Sequence, residues 1–316
     1  MLNQIIQSIK ESESSGLILG TDNEFLTGFS GNKLVGSLQR LTSLFSENKD
    51  TCYLEVGVFQ GLTLLSVANA IPSINCYGID NFAQFDIKGE NFGIVKNRIE
   101  KLGLQNATVI NRDYEDALET LADAIGINKK VGVYFIDGPH DYRSQLMCLE
   151  LALPYLHENA VIIIDDSNYK HVRQANRDFL ITHPEYKLVF EAYTKCHPVN
   201  MTRTEEEDAR KGWWNGVNII VKDIDNQLKP MYPPTKRSRI PYENEHDIHA
   251  LKIAEAAPQA VAIIQSIYEI NFPKVLHNVF SFYKAIGKYN HMFKTRYKVL
   301  NTYSADLPAS NYNNLV

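Results

Sequence analysis

Short runs of hydrophobic residues alternate with helix-like segments over the first 225 residues of the chain. Five runs are rich in β-branched and aromatic residues, at about 52–58, 74–79, 107–111, 131–136 and 160–164. Between them, apolar residues recur every three or four positions, as in Leu62–Ala70, which is typical of amphipathic helices. Strands that alternate with helices predict a parallel sheet that is covered by helices on both faces.

Two further strands are predicted after the fifth, at 186–193 and 216–221, and a polar, charge-rich insert at 195–214 separates them. We therefore predict an α/β fold with a doubly wound, seven-stranded sheet. We divide the chain into three regions: an N-terminal helix and loop at 1–32, a core domain at 33–225, and a linker with a helical extension at 226–316. In the extension we predict helices near 246–256, 258–270 and 273–287, and loose final residues.

Composition indicates a soluble cytoplasmic protein without a transmembrane segment. Hydrophobic residues make up 44% and charged residues 22% of the chain, which is ordinary for globular domains. The N-terminus lacks the charged start, apolar stretch and cleavage site of a signal peptide. The four cysteines have no C-x-x-C spacing, and we expect them to be reduced.

Charge is distributed unevenly along the chain. The formal net charge is −5, but residues 226–316 contain 11 Lys and Arg against 6 Asp and Glu. The first 225 residues are therefore acidic, so we expect no nucleic-acid partner. Residues 271–300 combine six basic residues with many aromatics and no acid. This pattern fits a membrane surface, an acidic partner, a homo-oligomer contact through the C-terminal helices, or a packed helix pair with solvated lysines.

A glycine turn follows the first strand, where the pattern E-x-G-x-x-x-G places Glu55, Gly57 and Gly61 between strand and helix. Glycine lets the backbone approach a ligand closely, and the N-terminus of the next helix favours acceptor or anionic groups. The turn therefore indicates a nucleotide-type cofactor. A dinucleotide fingerprint would require G-x-G-x-x-G, but position 59 is Phe.

Acidic residues stand at or next to the ends of the five parallel strands. The carboxyl ends of parallel strands share one edge of the sheet, which is where ligands bind. We predict that Asp80 binds ribose hydroxyls, with a solvated loop position as the alternative, and Asp113 fits the N-cap of the next helix. The acidic strand ends are Glu55, Asp80, Asp113, Asp137 and Asp165.

With these strand ends, residues 33–222 resemble the class I S-adenosylmethionine (SAM) methyltransferases. The segments YLEVGVFQG, YGIDNF, YFIDGPHDY and VIIIDDSNY are similar to the small-molecule O-methyltransferase branch that includes macrocin- and catechol-type enzymes. The resemblance implies a Rossmann-like, mostly parallel sheet with an antiparallel last strand. It also implies SAM as cofactor and Mg²⁺ as a second expectation. The implied SAM-binding residues are Glu55, Gly57, Gly61, Asp80, Asp113 and Asp137, and the implied metal ligands are Asp137, Asp165 and Asp166. For Asp113 the resemblance implies a contact with the adenine amino group, which a helix N-cap explains almost as well.

The expected chemistry is methyl transfer to a hydroxyl of a small-molecule acceptor such as a natural product, a sugar or a phenol. His140, three residues after Asp137, is the predicted general base, because imidazole titrates near neutrality. Asp141 is a competing candidate. Two other functions stay open: an NAD(P)-dependent oxidoreductase or epimerase, and a non-catalytic SAM-binding assembly protein.

Overall fold

The structure, a computed structural model, describes residues 1–20, 23–237, 257–293 and 307–314. Its centre is a sheet of eight strands in the order β3-β2-β1-β4-β5-β7-β6-β8. The first five strands are mutually parallel. The strands are β1 (Thr51–Val56), β2 (Asn75–Ile79), β3 (Ala107–Ile110), β4 (Lys130–Ile136), β5 (Leu156–Ile164), β6 (Tyr186–Ala192), β7 (Val217–Lys222) and β8 (Ser310–Tyr312).

Helices cover both faces of this sheet, as the continuous hydrophobic strands predict. One face carries α1, α2 and α3, which bury Ile9, Leu38 and Leu64 against the sheet. The other carries α5 to α8 and buries Leu149 and Phe179. The helices are α1 (Leu2–Ser15), α2 (Asn32–Ser43), α3 (Leu62–Ala70), α4 (Asn91–Leu102), α5 (Tyr114–Glu119), α6 (Leu121–Ile125), α7 (Tyr142–Ala152), α8 (Lys170–Thr182) and α9 (Arg203–Lys211).

The seven predicted strands and the doubly wound α/β fold are confirmed. Strand β7 runs antiparallel to both β5 and β6, so the expected antiparallel last strand of the core is present. The four cysteines are free and buried, consistent with their expected reduced state.

The end of the chain corrects one expectation. We predicted loose final residues, but Ser310–Tyr312 form β8, which pairs antiparallel with β6. Asn313 anchors this strand, because its side-chain amide donates to Leu188 O at 2.8 Å and to Lys229 O at 2.7 Å. A polar sequence therefore joins the sheet through backbone pairing and buried amide contacts rather than through a hydrophobic run.

Two helices of the predicted extension form a hairpin, α10 (Ala257–Tyr268) and α11 (Phe272–Phe293). They agree with the helices predicted near 258–270 and 273–287, whereas the helix predicted near 246–256 lies outside the described residues. The domain boundary at 225/226 stays a prediction, and β8 shows that part of the extension belongs to the sheet. Within the described ranges, none of the helices has the length and hydrophobicity that crossing a bilayer requires.

Candidate active site

The glycine turn lies where the strand order reverses. Strand β1 has β2 on one side and β4 on the other, and such a switch point opens a crevice at the carboxyl edge of the sheet. Gly57 has φ +93°, and a Cβ atom there would lie 1.9 Å from the carbonyl oxygen of Asp137, after β4. Only glycine fits this close approach. Gly61, with φ +88°, is the N-cap of α3.

Asp80 holds the glycine turn in place. Its Oδ2 accepts hydrogen bonds from the backbone N–H groups of Val58 at 2.9 Å and Phe59 at 2.8 Å. Its Oδ1 accepts from Phe82 N at 2.7 Å. Phe59 and Phe82 both have positive φ, a costly conformation for bulky residues, which these hydrogen bonds help to stabilise. The structure thus gives Asp80 a structural role in addition to the predicted ribose contact.

Glu55 is buried beneath the turn. Its carboxyl accepts hydrogen bonds from Tyr53 Oη at 2.7 Å and from Thr63 Oγ1 at 3.2 Å. Burial raises the pKa of Glu55 to about 8, although these two hydrogen bonds oppose the shift. The side chain therefore links β1 to the first turn of α3 from inside the protein.

Asp113 lies on the surface at the start of α5. Its Oδ1 accepts from Glu115 N at 3.0 Å, which makes it the N-cap of that helix. Its Oδ2 accepts from Asn81 Nδ2 at 3.2 Å. The N-cap role that the sequence left open is therefore present, and the contact to Asn81 ties the ends of β2 and β3 together.

Three polar side chains converge beyond β4 and β5. One ligand atom from each of Asp137, His140 and Asp166 lies within 4.8 Å of the other two. His140 Nε2 lies 2.7 Å from Asp166 Oδ2, and the imidazole stacks on Tyr169 with ring centroids 5.0 Å apart. Asp166 has φ 52°, a rare conformation for a non-glycine residue. We call these three residues the acidic-histidine cluster.

The carboxyls around this cluster differ in their tendency to ionise. Burial opposes ionisation of Asp166, but His140, His197 and a hydrogen bond from Asn215 outweigh it and lower the pKa of Asp166 to about 2. Asn215 Nδ2 donates to Asp166 Oδ1 at 2.6 Å. Burial and the neighbouring carboxyls of Asp165 and Asp166 raise the pKa of Asp137 well above its usual range. Asp166 is thus the fixed anion of the cluster.

Asp165 and Asp141 take other positions. Asp165 is 3% exposed, and its Oδ1 has no hydrogen-bond partner among the described residues. Burial, with Asp166 beside it, raises the pKa of Asp165 well above its usual range. Asp141 caps α7 by accepting from Ser144 N at 3.0 Å. The structure therefore brings the predicted residues Asp137, His140 and Asp166 together and leaves Asp165 and Asp141 out of that group.

The donor set fits a divalent cation. Two carboxylates and an imidazole whose ligand atoms lie within 4.8 Å of one another suit Mg²⁺ or Mn²⁺, with the imidazole favouring the transition metal. The raised pKa of Asp137 also fits a cation site, because its causes are burial and the neighbouring carboxyls of Asp165 and Asp166. A bound cation would neutralise these carboxyls.

The N-terminal loop, residues 23–31, lies over the glycine turn. Arg98 on α4 donates to Gln60 O at 2.5 Å and to Thr27 O at 3.2 Å, so one side chain joins turn and loop. Phe29 lies 5.5 Å from Phe59 and 6.4 Å from Trp214, measured between ring centroids. A cavity of about 490 Å³ lies between this loop, Leu62 and α9. It adjoins the glycine turn but does not contain the acidic strand ends.

Sequence reasoning did not find three residues of this site. Asn215 orients Asp166, Tyr169 stacks on His140, and Arg98 ties the loop to the turn. Asn215 and Arg98 lie outside the motifs that follow the strands, whereas Tyr169 ends the segment VIIIDDSNY but had no predicted role. Gly216 gives one local signal, because a Cβ atom there would lie 2.5 Å from Asn168 Oδ1. A glycine at this position indicates that the segment before β7 packs closely on the loop after β5.

Comparison with protein families supports the predicted resemblance. Residues 54–167 match a family model described as "Methyltransferase domain", and this range spans β1 to the loop after β5. The family match and the observed strand order confirm the resemblance to class I SAM-dependent methyltransferases. An uncharacterized protein, R132, of Acanthamoeba polyphaga mimivirus is 28% identical over 132 residues, covering 41% of this chain. The match spans 57% of that relative's length.

Solved structures with similar folds include two O-methyltransferases. One, from Bacillus cereus in complex with SAH, is 15% identical with a TM-score of 0.42, covering 70% of this chain and 90% of the other. The second is TomG from Streptomyces achromogenes, which is involved in tomaymycin synthesis and was solved in complex with SAM. It is 15% identical with a TM-score of 0.42, covering 70% of this chain and 88% of the other.

Proposed function

We propose that this protein is a SAM-dependent methyltransferase that transfers a methyl group to a hydroxyl of a small-molecule acceptor. The acidic-histidine cluster carries this proposal. Its three side chains lie at the ends of β4 and β5, and Asp137 directly contacts the glycine turn at the switch point. A base and two carboxylates therefore stand beside the crevice where a doubly wound sheet binds its cofactor.

The proposed cofactor position lies along the same carboxyl edge of the sheet. We place the methionine end of SAM at the turn of Gly57 and Gly61, with Glu55 supporting it from below. The ribose lies at Asp80, whose carboxylate has further lone pairs for hydroxyl donors. The adenine lies near Asp113, and the sulfonium methyl then points toward Asp137 and the cluster.

His140 acts as the general base in this proposal. Because Asp166 is ionised and lies 2.7 Å from Nε2, it holds the proton on Nε2 and makes Nδ1 the basic nitrogen. The acceptor oxygen attacks the methyl carbon, the carbon–sulfur bond breaks, and S-adenosylhomocysteine (SAH) leaves. The hydroxyl proton passes to His140, and Asp166 stabilises the imidazolium that forms.

Asp137 and Asp166 are the residues that would hold a divalent ion, with His140 in reach and the predicted ligand Asp165 buried next to them. When bound, such an ion would lower the pKa of the acceptor hydroxyl and neutralise the carboxyls. The remaining rate enhancement comes from holding the methyl group and the hydroxyl in attack geometry.

The test is SAH formation from SAM with phenol, catechol and sugar acceptors, with and without EDTA. His140→Ala should lower turnover by about 10² to 10⁴ while SAM affinity stays unchanged. The matched control is Asp141→Asn, which preserves an N-cap on α7 and should retain turnover. Full activity of His140→Ala with loss in Asp141→Asn would transfer the base role to Asp141. Unchanged activity in EDTA would remove the divalent ion from the proposal.

A further inference from the structure

The hairpin of α10 and α11 exposes most of its large hydrophobic residues. On α10 they recur every three or four positions, and on α11 they form a second stripe of the same period, so each helix presents one continuous apolar face. Their exposed fractions lie between 60% and 89%. We call this surface the hairpin face; it comprises Val261, Ile264, Ile267, Tyr268, Phe272, Leu276, Phe280 and Tyr283.

Polar contacts inside the hairpin fix this orientation. Asn278 Nδ2 on α11 donates to Ser266 Oγ at 2.6 Å and to Ala262 O at 3.0 Å on α10. Ser266 is fully buried. The helices therefore meet partly through small and polar groups, and most of the large side chains point outward. A hairpin that only had to pack on itself would bury its phenylalanines instead.

Basic residues border the hairpin face. Helix α10 has no charged residue and α11 has no acidic one. His277 and Lys284 are both exposed and stand seven residues apart on α11, on the strip next to Phe280. Glu269, between the helices, is already paired with Lys274 at 2.7 Å. The surface is therefore apolar, its border carries the ammonium group of Lys284 and the imidazole of His277, and its described part has no unpaired carboxylate.

We propose that the hairpin face binds the surface of a membrane that contains anionic lipids. Charge complementarity selects this occupant: anionic headgroups match the basic border while the aromatic and aliphatic side chains enter the headgroup–acyl boundary. A second copy of the chain would instead bring two Lys284 side chains to one interface, and the carboxylate in the described hairpin, that of Glu269, is already paired with Lys274. The hairpin would lie in the interface plane, because neither helix can span a bilayer.

The full chain is tested by sedimentation with vesicles of phosphatidylcholine, alone or mixed with phosphatidylserine. We expect binding to the mixed vesicles that weakens with salt. Replacing Phe280 and Tyr283 together by Ser, or His277 and Lys284 together by Glu, should each weaken binding about tenfold or more. The matched control replaces Ile127 and Ile224 by Ser. These residues are also exposed, at 85% and 62%, but lie outside the hairpin, and their loss should leave binding unchanged.

Each of the following four results would overturn the proposal. The wild-type chain stays in solution with the mixed vesicles, or the hairpin variants bind as the wild type does. Alternatively, Phe280→Ser/Tyr283→Ser converts a dimer to a monomer without vesicle binding, which assigns the face to a second copy. If vesicle binding is absent and the same variant only lowers the unfolding temperature at constant mass, another part of the chain covers the face. Solution mass and thermal unfolding of each variant are therefore measured alongside sedimentation.

Discussion

At the scale of single residues, Asp80 combines a structural role with a proposed binding role. It accepts three backbone hydrogen bonds from the turn residues and Phe82, so Asp80→Ala would disturb the turn even without a ribose contact. Loss of SAM affinity in that variant would therefore not by itself show that Asp80 binds the ribose. The two roles separate if the ligand is changed instead of the protein.

We expect wild-type protein to bind SAH more tightly than its 2′-deoxy analogue, by about 1.5 to 3 kcal/mol for a hydrogen bond to a charged acceptor. The Asp80→Ala protein should bind both ligands weakly and with nearly equal affinity. Calorimetric titration of both proteins with both ligands measures the four affinities. Equal discrimination by the two proteins would assign the ribose to another residue.

Glu55 should make the stability of the protein depend on pH. Its pKa is raised from 4.5 to about 8 by burial, so the folded state retains a proton that the unfolded state has lost. The free energy of unfolding therefore falls as the pH rises from about 5 to 8. Glu55→Gln should reduce this decline, whereas the exposed control Glu119→Gln should keep it. Denaturant unfolding at pH 5, 6, 7 and 8 measures the slope, and equal slopes in Glu55→Gln and wild type would contradict this assignment.

The acidic strand ends could be located from the sequence because each follows a hydrophobic run, and parallel strands bring such positions to one edge. The environment of each of these acidic residues could not be predicted from the sequence. Asp166 has a positive φ, and its contact with His140 depends on loops 26 residues apart in sequence. Likewise, Asp165 and Asp166 are neighbours in the chain, yet Oδ1 of Asp165 has no hydrogen-bond partner among the described residues, whereas Asp166 is held by His140 and Asn215.

At the scale of elements, Arg98 joins α4, the glycine turn and the N-terminal loop. The residue is 9% exposed, and its guanidinium donates to Gln60 O, Thr27 O and Thr27 Oγ1. Arg98→Ala should release the loop and lower SAM affinity by about tenfold, since charged hydrogen bonds contribute roughly 1.5 to 3 kcal/mol each. Lys101→Ala, an exposed change on the same helix, is the control.

Hydrogen exchange of the Arg98→Ala protein, compared with wild type, tests whether Arg98 holds the loop and the turn or the whole fold. Faster amide exchange confined to residues 23–31 and 58–61 of the Arg98→Ala protein would match this account. Faster exchange throughout α4 and the sheet would instead mean that Arg98 supports the whole fold.

Hydrophobic periodicity located β1 to β7 and the helices that alternate with the parallel strands, because these elements bury continuous apolar faces. Strand β8 was not predicted, because it has no continuous apolar face. It is three residues long, and its partners are distant in sequence: β6 through backbone pairing and α1 through Tyr312 Oη, which donates to Glu13 at 2.6 Å. Such non-local pairing has no local hydrophobic signature.

At the scale of the whole molecule, the end of the chain covers the edge of its own sheet. An uncovered β6 would offer unpaired backbone groups to other chains, and β8 occupies that position. Residues 226–316 were predicted to form a linker and a helical extension. The structure divides that region into a strand that joins the core and a hairpin whose large side chains face outward. Cytoplasmic localisation and the domain boundaries stay predictions, and self-association through the hairpin is the alternative that the vesicle experiment tests.

The central claim is that the crevice between β1 and β4 binds SAM. Isothermal titration of the full chain with SAH and, separately, with NAD tests it most directly, because the turn at Gly57 was compatible with both nucleotides at the level of sequence. We predict saturable binding of one SAH per chain and no measurable heat with NAD. Saturable binding of NAD with no response to SAH would contradict the account.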